Sequence, residues 1–165
     1  MLDKNIKNLL PLTSKVNKEG TLEIGGCDLV DLSNHYGTPL YVYDEATIRA
    51  TCQEFVSQFE SFYPNSHISY SSKAFTSPYL IKILGEENLG IDVVSGGELS
   101  VVQYAKFPYQ KVNFHGNNKS YEELIQAVEW KIGSITLDSF DEIFLLNKVA
   151  SKLSMKQNVL IRVSP

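Results

Sequence analysis

Long apolar runs are missing from this chain of 165 residues: no stretch approaches the ~20 residues a helix needs to cross a membrane. The opening segment, Met1-Leu-Asp-Lys-Asn-Ile-Lys-Asn-Leu-Leu10, lacks the hydrophobic core of a signal peptide. Positive charge is also scarce. Fifteen Lys and Arg face nineteen Asp and Glu, a net charge of −4, whereas a nucleic-acid binder needs a basic patch. Neither nucleic acid nor a membrane is therefore an expected partner. Cysteine is almost absent. Cys27 and Cys52 have neither the spacing of a metal site nor the number of a disulfide framework, so no metal is expected and a cytoplasmic protein is the default. The G-x-G-x-x-G turn of a dinucleotide-binding sheet is missing too.

What is present fits a globular domain. Hydrophobic residues make up 43% and charged residues 21%, an ordinary balance for a soluble chain long enough to bury one core. Residues 1–37 hold short apolar stretches, Thr21-Leu-Glu-Ile24 and Cys27-Asp-Leu-Val30, around Gly25-Gly26. They read as an arm with a strand or two and a short helix near Val30–His35. Gly37-Thr-Pro39 reads as a turn and Leu40-Tyr-Val-Tyr43 as a strand. Asp44 then caps a helix in which Ile48, Cys52, Phe55, Val56, Phe59 and Phe62 recur at helical spacing. Cys52 falls on that apolar face and is expected in the core.

From there strands and helices alternate. The run His67-Ile-Ser-Tyr-Ser-Ser-Lys-Ala-Phe75 reads as a strand, followed by a helix capped by Thr76 or Ser77 with Pro78 in its first turn. Gly90–Val94, Val112–His115, Ser134–Asp138 and Asn158–Val163 read as further strands. Three of them lead into Ser95-Gly-Gly-Glu98, Ser120-Tyr-Glu-Glu123 and Ser139-Phe-Asp-Glu142. Each of these has the form of a capping box, which accounts for the three glutamates without catalysis. Strand starts recur roughly every 20 to 25 residues, the signature of βα units feeding a parallel sheet.

Two architectures accept this pattern, an open doubly wound sheet and a (β/α)8 barrel of the TIM type. Polar residues close several strands: Lys73, Asp92, His115, Asp138 and Arg162. In a barrel these ends converge on one rim, where barrel enzymes place their chemistry, so an α/β barrel is expected. About five of its eight strands are counted, against roughly 250 residues for a complete barrel. Each rim residue also has a plainer role open to it. A lysine at a strand end is most often solvated. Asp92 and Asp138 could cap the helices that follow, and His115 sits in a polar loop. Gly96-Gly97 fits tight strand-to-helix packing at least as well as a phosphate cradle. Arg162 ends an apolar strand, where a cation wants a partner: a carboxylate or a cofactor oxygen on the rim. A lysine at the C-terminal end of a barrel strand is well placed to hold a carbonyl cofactor as a Schiff base.

Four segments then carry a resemblance: Gly37-Thr-Pro-Leu-Tyr-Val-Tyr-Asp-Glu45, Tyr70-Ser-Ser-Lys-Ala-Phe75, Gly90-Ile-Asp-Val-Val-Ser-Gly-Gly-Glu-Leu99 and Phe114-His-Gly-Asn-Asn-Lys-Ser120. In order and spacing they resemble the diaminopimelate decarboxylases. These belong to the alanine-racemase-like, fold-type III pyridoxal-phosphate enzymes, which also include ornithine and arginine decarboxylases. The resemblance runs from about Thr21 onward. It implies that residues 1–43 are an arm contributing to a β-domain and that 44–165 are the first part of a pyridoxal-phosphate-binding barrel. It implies that Lys73 holds pyridoxal 5'-phosphate, with Asp92 steadying it electrostatically and Arg162 near the ring. His115 is a further cofactor-binding candidate, although the imidazole that stacks on the ring in the family lies further downstream.

The reaction implied is decarboxylation of meso-diaminopimelate to L-lysine and CO2, the last step of lysine biosynthesis, by a homodimer with shared sites. Phe75 stands where many relatives have Asn. In the resemblance, the phosphate loop, the ring-nitrogen partner and the substrate-reading residues fall beyond Pro165. Residues 1–165 alone are therefore expected to be inactive and, as an open barrel, prone to aggregate. The alternatives are a decarboxylase of another basic amino acid, a single-domain cofactor carrier, a silent partner-binding homologue or an inactive truncated fragment.

Overall fold

The computed structural model describes residues 9–163. The first eight residues of the expected arm and the last two of the expected barrel portion lie outside them. The chain divides into two compact units, Met1–Gln58 and Phe59–Pro165.

The first unit is built on three short strands, β1 (Lys15–Val16), β2 (Leu22–Ile24) and β3 (Cys27–Asp28), paired antiparallel in chain order. Asp28 ends the sheet and starts helix α1 (Leu29–Tyr36), its carboxylate accepting from the Val30 and Asp31 N–H groups. The Thr21 hydroxyl also donates to Asp28. That bond, more than burial opposes it, holds the carboxyl below its ordinary range. Asp44 caps helix α2 (Glu45–Phe62), accepting from the Thr47 N–H at 3.2 Å. Cys52 is buried as expected, yet Phe55, Phe59 and Phe62 on the same stripe are exposed. Leu40–Tyr43 is not a strand: it pairs with neither sheet, and Tyr41 is 87% exposed. A β-rich composition forms a strand only where another strand meets its backbone groups.

The second unit is a parallel sheet of five strands in chain order: β4 (Ser69–Ser71), β5 (Gly90–Val93), β6 (Val112–Phe114), β7 (Ser134–Leu137) and β8 (Val159–Ile161). Helices α3 (Pro78–Glu86), α4 (Gly96–Tyr104), α5 (Tyr121–Glu129) and α6 (Phe140–Leu153) follow the first four in turn. Each begins at a serine whose hydroxyl accepts from the third helical N–H: Ser77, Ser95, Ser120 and Ser139.

Alternate residues are buried in β5 and β6, while β7 buries Ile135, Thr136 and Leu137 in succession and β4 and β8 bury none. Ile91 and Val93, Val112 and Phe114, Ile135 and Leu137 pack with Leu84, Leu99, Val102, Leu124, Val128 and Val149 of the helices in one core. The intervening positions point to the other face. A doubly wound sheet would bury both faces. Covering only one is the arrangement of a barrel wall. Both lateral strands, β4 and β8, are open to further pairing, and Val159, Leu160 and Ile161 are exposed.

Candidate functional site

Because all five strands run parallel, their C-terminal ends lie along one edge of the sheet. Lys73, Asp92, His115, Asp138 and Arg162 are all on that edge or just beyond it. Lys73 is not on the strand itself. The ladder of β4 stops at Ser71, opposite Asp92, and a single 3-10 turn, Ser72–Ala74, carries the lysine past the strand end. Ser72 explains the break. Its hydroxyl, buried, lies 2.7 Å from the Asp92 carbonyl oxygen and also meets the Glu98 carboxylate. These side-chain bonds replace the next rung of the ladder. Lys73 itself is exposed, and its ammonium makes no hydrogen bond or ion pair with the described residues.

Asp92 does not cap a helix, since Ser95 does that. It lies within β5 on the face away from the helices and accepts from the Asn113 amide at 3.2 Å. Asp138 does not cap one either, since Ser139 does. Asp138 instead faces Arg162, with Nη1 to Oδ1 at 3.5 Å. The carboxylate partner expected for Arg162 is therefore present. The distance is too long for a good hydrogen bond, and both buried Asp138 oxygens lack a hydrogen-bond donor among the described residues. His115 follows β6; its N–H donates to the Val93 carbonyl, and its Nδ1 accepts from the Gly116 N–H at 2.9 Å. Gly116 has φ +98°, and a Cβ there would stand 3.0 Å from the Val94 carbonyl oxygen. The loop thus needs glycine twice over, for its backbone angle and for space.

The capping-box expectation holds in full only at Ser120 and Glu123. Glu98 reaches instead to the Val94 N–H at 2.8 Å and to Ser72, and Glu142 to the Asp138 N–H at 2.8 Å and to Lys119. Glu123 itself has a second bond, from the Gly96 N–H at 2.6 Å. The side chain of Glu123 fills the space a Cβ on Gly96 would take, so Gly96 serves close packing here, whereas a Cβ on Gly97 would make only ordinary contact with Ser95. Burial pushes the Glu123 carboxyl up. The N–H donors of Ser120 and Gly96, the Ser120 hydroxyl and the Lys119 charge outweigh that and hold it below its ordinary value.

Lys119 is the functional-looking residue that sequence reasoning left without a role. Its side chain is 1% exposed, and its ammonium pairs with Glu142 at 2.8 Å. It also donates to the carbonyls of Gly116 at 2.5 Å and Thr136 at 2.8 Å. It is a fully satisfied structural cation that anchors the His115 loop. Its position inside a Gly-Asn-Asn-Lys-Ser loop gave no periodicity from which burial could be read. Among the described residues, no group of His, Cys, Asp and Glu could hold a metal, and no helix is long and apolar enough to cross a membrane. A cleft of about 650 Å³ lies in the first unit, between Ile24, Val42 and Arg49, and contains none of the rim residues.

Comparisons with known proteins bear on the family and the fold. The family model described as pyridoxal-dependent decarboxylase, pyridoxal binding domain, matches residues 45–165. A diaminopimelate decarboxylase of Bacillus methanolicus is 47% identical over 153 residues, 93% of this chain and 35% of that protein. The crystal structure of a diaminopimelate decarboxylase from M. jannaschii superposes with a TM-score of 0.83 at 33% identity, covering 93% of this chain and 36% of the other. The same enzyme in complex with L-lysine gives a TM-score of 0.82 at 34% identity, covering 92% and 36%. The five-stranded sheet thus corresponds to the first part of the barrel in these enzymes. The chain spans about a third of the length of the curated relatives it matches.

Proposed function

The chain belongs to the pyridoxal-dependent decarboxylases, matching their pyridoxal-binding domain, and on that premise we propose that the protein carrying it converts meso-diaminopimelate to L-lysine and CO2. The observation that carries the reading is Lys73: an exposed ammonium with no partner among the described residues, at the C-terminal edge of a parallel sheet. The residues fit pyridoxal phosphate. That group needs an available amine, which Lys73 offers, and polar rather than apolar surroundings, which the face away from the helices offers in Asp92 and Asn113.

When bound, pyridoxal phosphate supplies an aldehyde that bonds to amines and a ring that withdraws the electron pair left as CO2 departs. Lys73 Nζ is the amine that would hold it. Asp92 would contribute a fixed negative charge on the open face to steady the Lys73 ammonium electrostatically. Arg162, more than half exposed beyond β8 with Asp138 3.5 Å away, would supply the positive charge near the ring. His115 lines the same rim. Substrate choice rests on the named activity of relatives up to 47% identical and on the lysine complex of the M. jannaschii enzyme. In this reading residues 1–43 contribute to a β-domain and 44–165 form part of the barrel. The intact protein is a cytoplasmic homodimer.

The direct test is to load the full-length protein with pyridoxal phosphate, reduce with borohydride and map the labelled peptide. The label is expected on Lys73, and a label elsewhere sinks the assignment. Lys73→Ala in the same protein should abolish release of CO2 from meso-diaminopimelate, and retained turnover would do equal damage. Turnover of ornithine or arginine in preference to diaminopimelate would keep the chemistry and overturn the substrate.

A further inference from the structure

The geometry points to Asn113 as a positioning residue for the cofactor site, an adaptor that fixes Asp92 to the open face of the sheet. This deepens the proposed function and rests on it. Asn113 lies in register between Asp92 of β5 and Ser134 of β7. Its neighbours along β6, Val112 and Phe114, are buried on the helix side, so its own side chain projects from the uncovered face. There it bonds both neighbouring strands. Its Nδ2 donates to Asp92 Oδ1 at 3.2 Å, and its Oδ1 accepts from Ser134 Oγ at 2.9 Å and from buried Thr136 Oγ1 at 3.1 Å.

The chemistry of these groups permits one orientation. A hydroxyl can donate or accept, but a carboxylate can only accept. If the amide turned over, its oxygen would face the Asp92 carboxylate with no proton between them. Asp92 therefore sets the direction of the amide, and the two hydroxyls lock it by donating to the far end. The result is a directed relay, from the hydroxyls of β7 through the amide of β6 to the carboxylate of β5. It holds one Asp92 oxygen and leaves Oδ2 without a hydrogen-bond partner among the described residues. Asp92 is thus presented as a charge of fixed position, which is what steadying Lys73 requires. Polar residues placed only to fill an uncovered face would need no such directionality.

The test uses the full-length protein, with and without pyridoxal phosphate. Asn113→Leu removes the donor at similar volume, while Ser134→Ala with Thr136→Val releases the amide and leaves Asn113 in place. Asn113→Leu is expected to weaken pyridoxal phosphate binding about tenfold, the scale of one hydrogen bond to a charged group, and to change the visible circular dichroism of the bound cofactor. The hydroxyl pair should shift both readouts in the same direction, and its effect should vanish in the Asn113→Leu background, because the groups act through one another.

Binding within twofold of wild type and an unchanged dichroic band in Asn113→Leu would overturn the role. So would a hydroxyl effect that persists undiminished without Asn113. If Asn113→Leu fails to fold, the hydroxyl pair carries the same two readouts and decides alone. Failure of wild type to take the borohydride label on Lys73 would sink the decarboxylase reading and this role together. A labelled wild type with indifferent variants sinks only the role of Asn113.

Discussion

The two faces of the five-stranded sheet are made from adjacent residues of the same strands and behave as different materials. On one, Ile91, Val93, Val112, Phe114 and Ile135 are at most 1% exposed against the helices. On the other, Asp92, Asn113, Ser134 and Thr136 form one hydrogen-bonded network. The period of two in a strand lets a sheet keep packing and chemistry a residue apart. Stability is concentrated on the helix side, where apolar area leaves water. The open side can then carry charge and unpaired groups because little of the core depends on it.

The comparison breaks most sharply on the helix side. Phe114→Ala removes a fully buried ring that also lies 5.7 Å below the Lys119 ammonium. It should cost about 3–5 kcal/mol, read as a lower denaturation midpoint of the intact protein. Once folded, the variant should still take the borohydride label on Lys73. If it melts normally but no longer takes the label, the two faces are not separable in this way.

Lys119 tests the seam between loop and sheet. Lys119→Met strands the buried Glu142 carboxylate, and breaking a buried pair from one side costs about 3–5 kcal/mol, discounted here because Glu142 keeps the Asp138 N–H. Adding Glu142→Gln should recover part of the loss in a thermal melt. No recovery would mean that the carbonyls of Gly116 and Thr136, not Glu142, are what Lys119 serves.

The smallest effect concerns pH. Glu123 has its carboxyl held below the ordinary 4.5. Its contribution to stability is complete above that value and is lost as the pH falls through the lower folded-state value. Glu123→Gln should therefore flatten the acid limb of the melting-temperature profile and leave the neutral region little changed. An acid limb of unaltered slope would assign acid sensitivity to other carboxylates, such as Asp44. There burial raises the carboxyl, and the bonds from Thr47 and Thr13 more than offset it.

Much of this was legible in the sequence because strand and helix periods are local. The helix starts at Ser77, Ser95, Ser120 and Ser139 follow from side chains that satisfy the next turn of backbone. The polar strand ends followed from counting. What failed was what depends on distant partners. Leu40–Tyr43 has the composition of a strand but joins neither sheet. Lys73 leaves its strand because Ser72 is claimed by Glu98, twenty-six residues on. The capping-box pattern located the glutamates, but where their carboxylates reach depends on the adjacent unit. Asn113 could have been flagged by one signal, a polar residue between two apolar ones in a strand that the helices bury on one side.

Those same glutamates bear on how the protein is made. Glu98 ties back to Ser72, Glu123 to Gly96 and Glu142 to Lys119, so every tie joins a βα unit to the one before it. Each needs only the next unit in the chain. A chain leaving the ribosome at ~5–20 residues per second presents the units in the order in which they fasten. Synthesis and assembly can therefore proceed in step, with each emerging helix start locking the unit already in place.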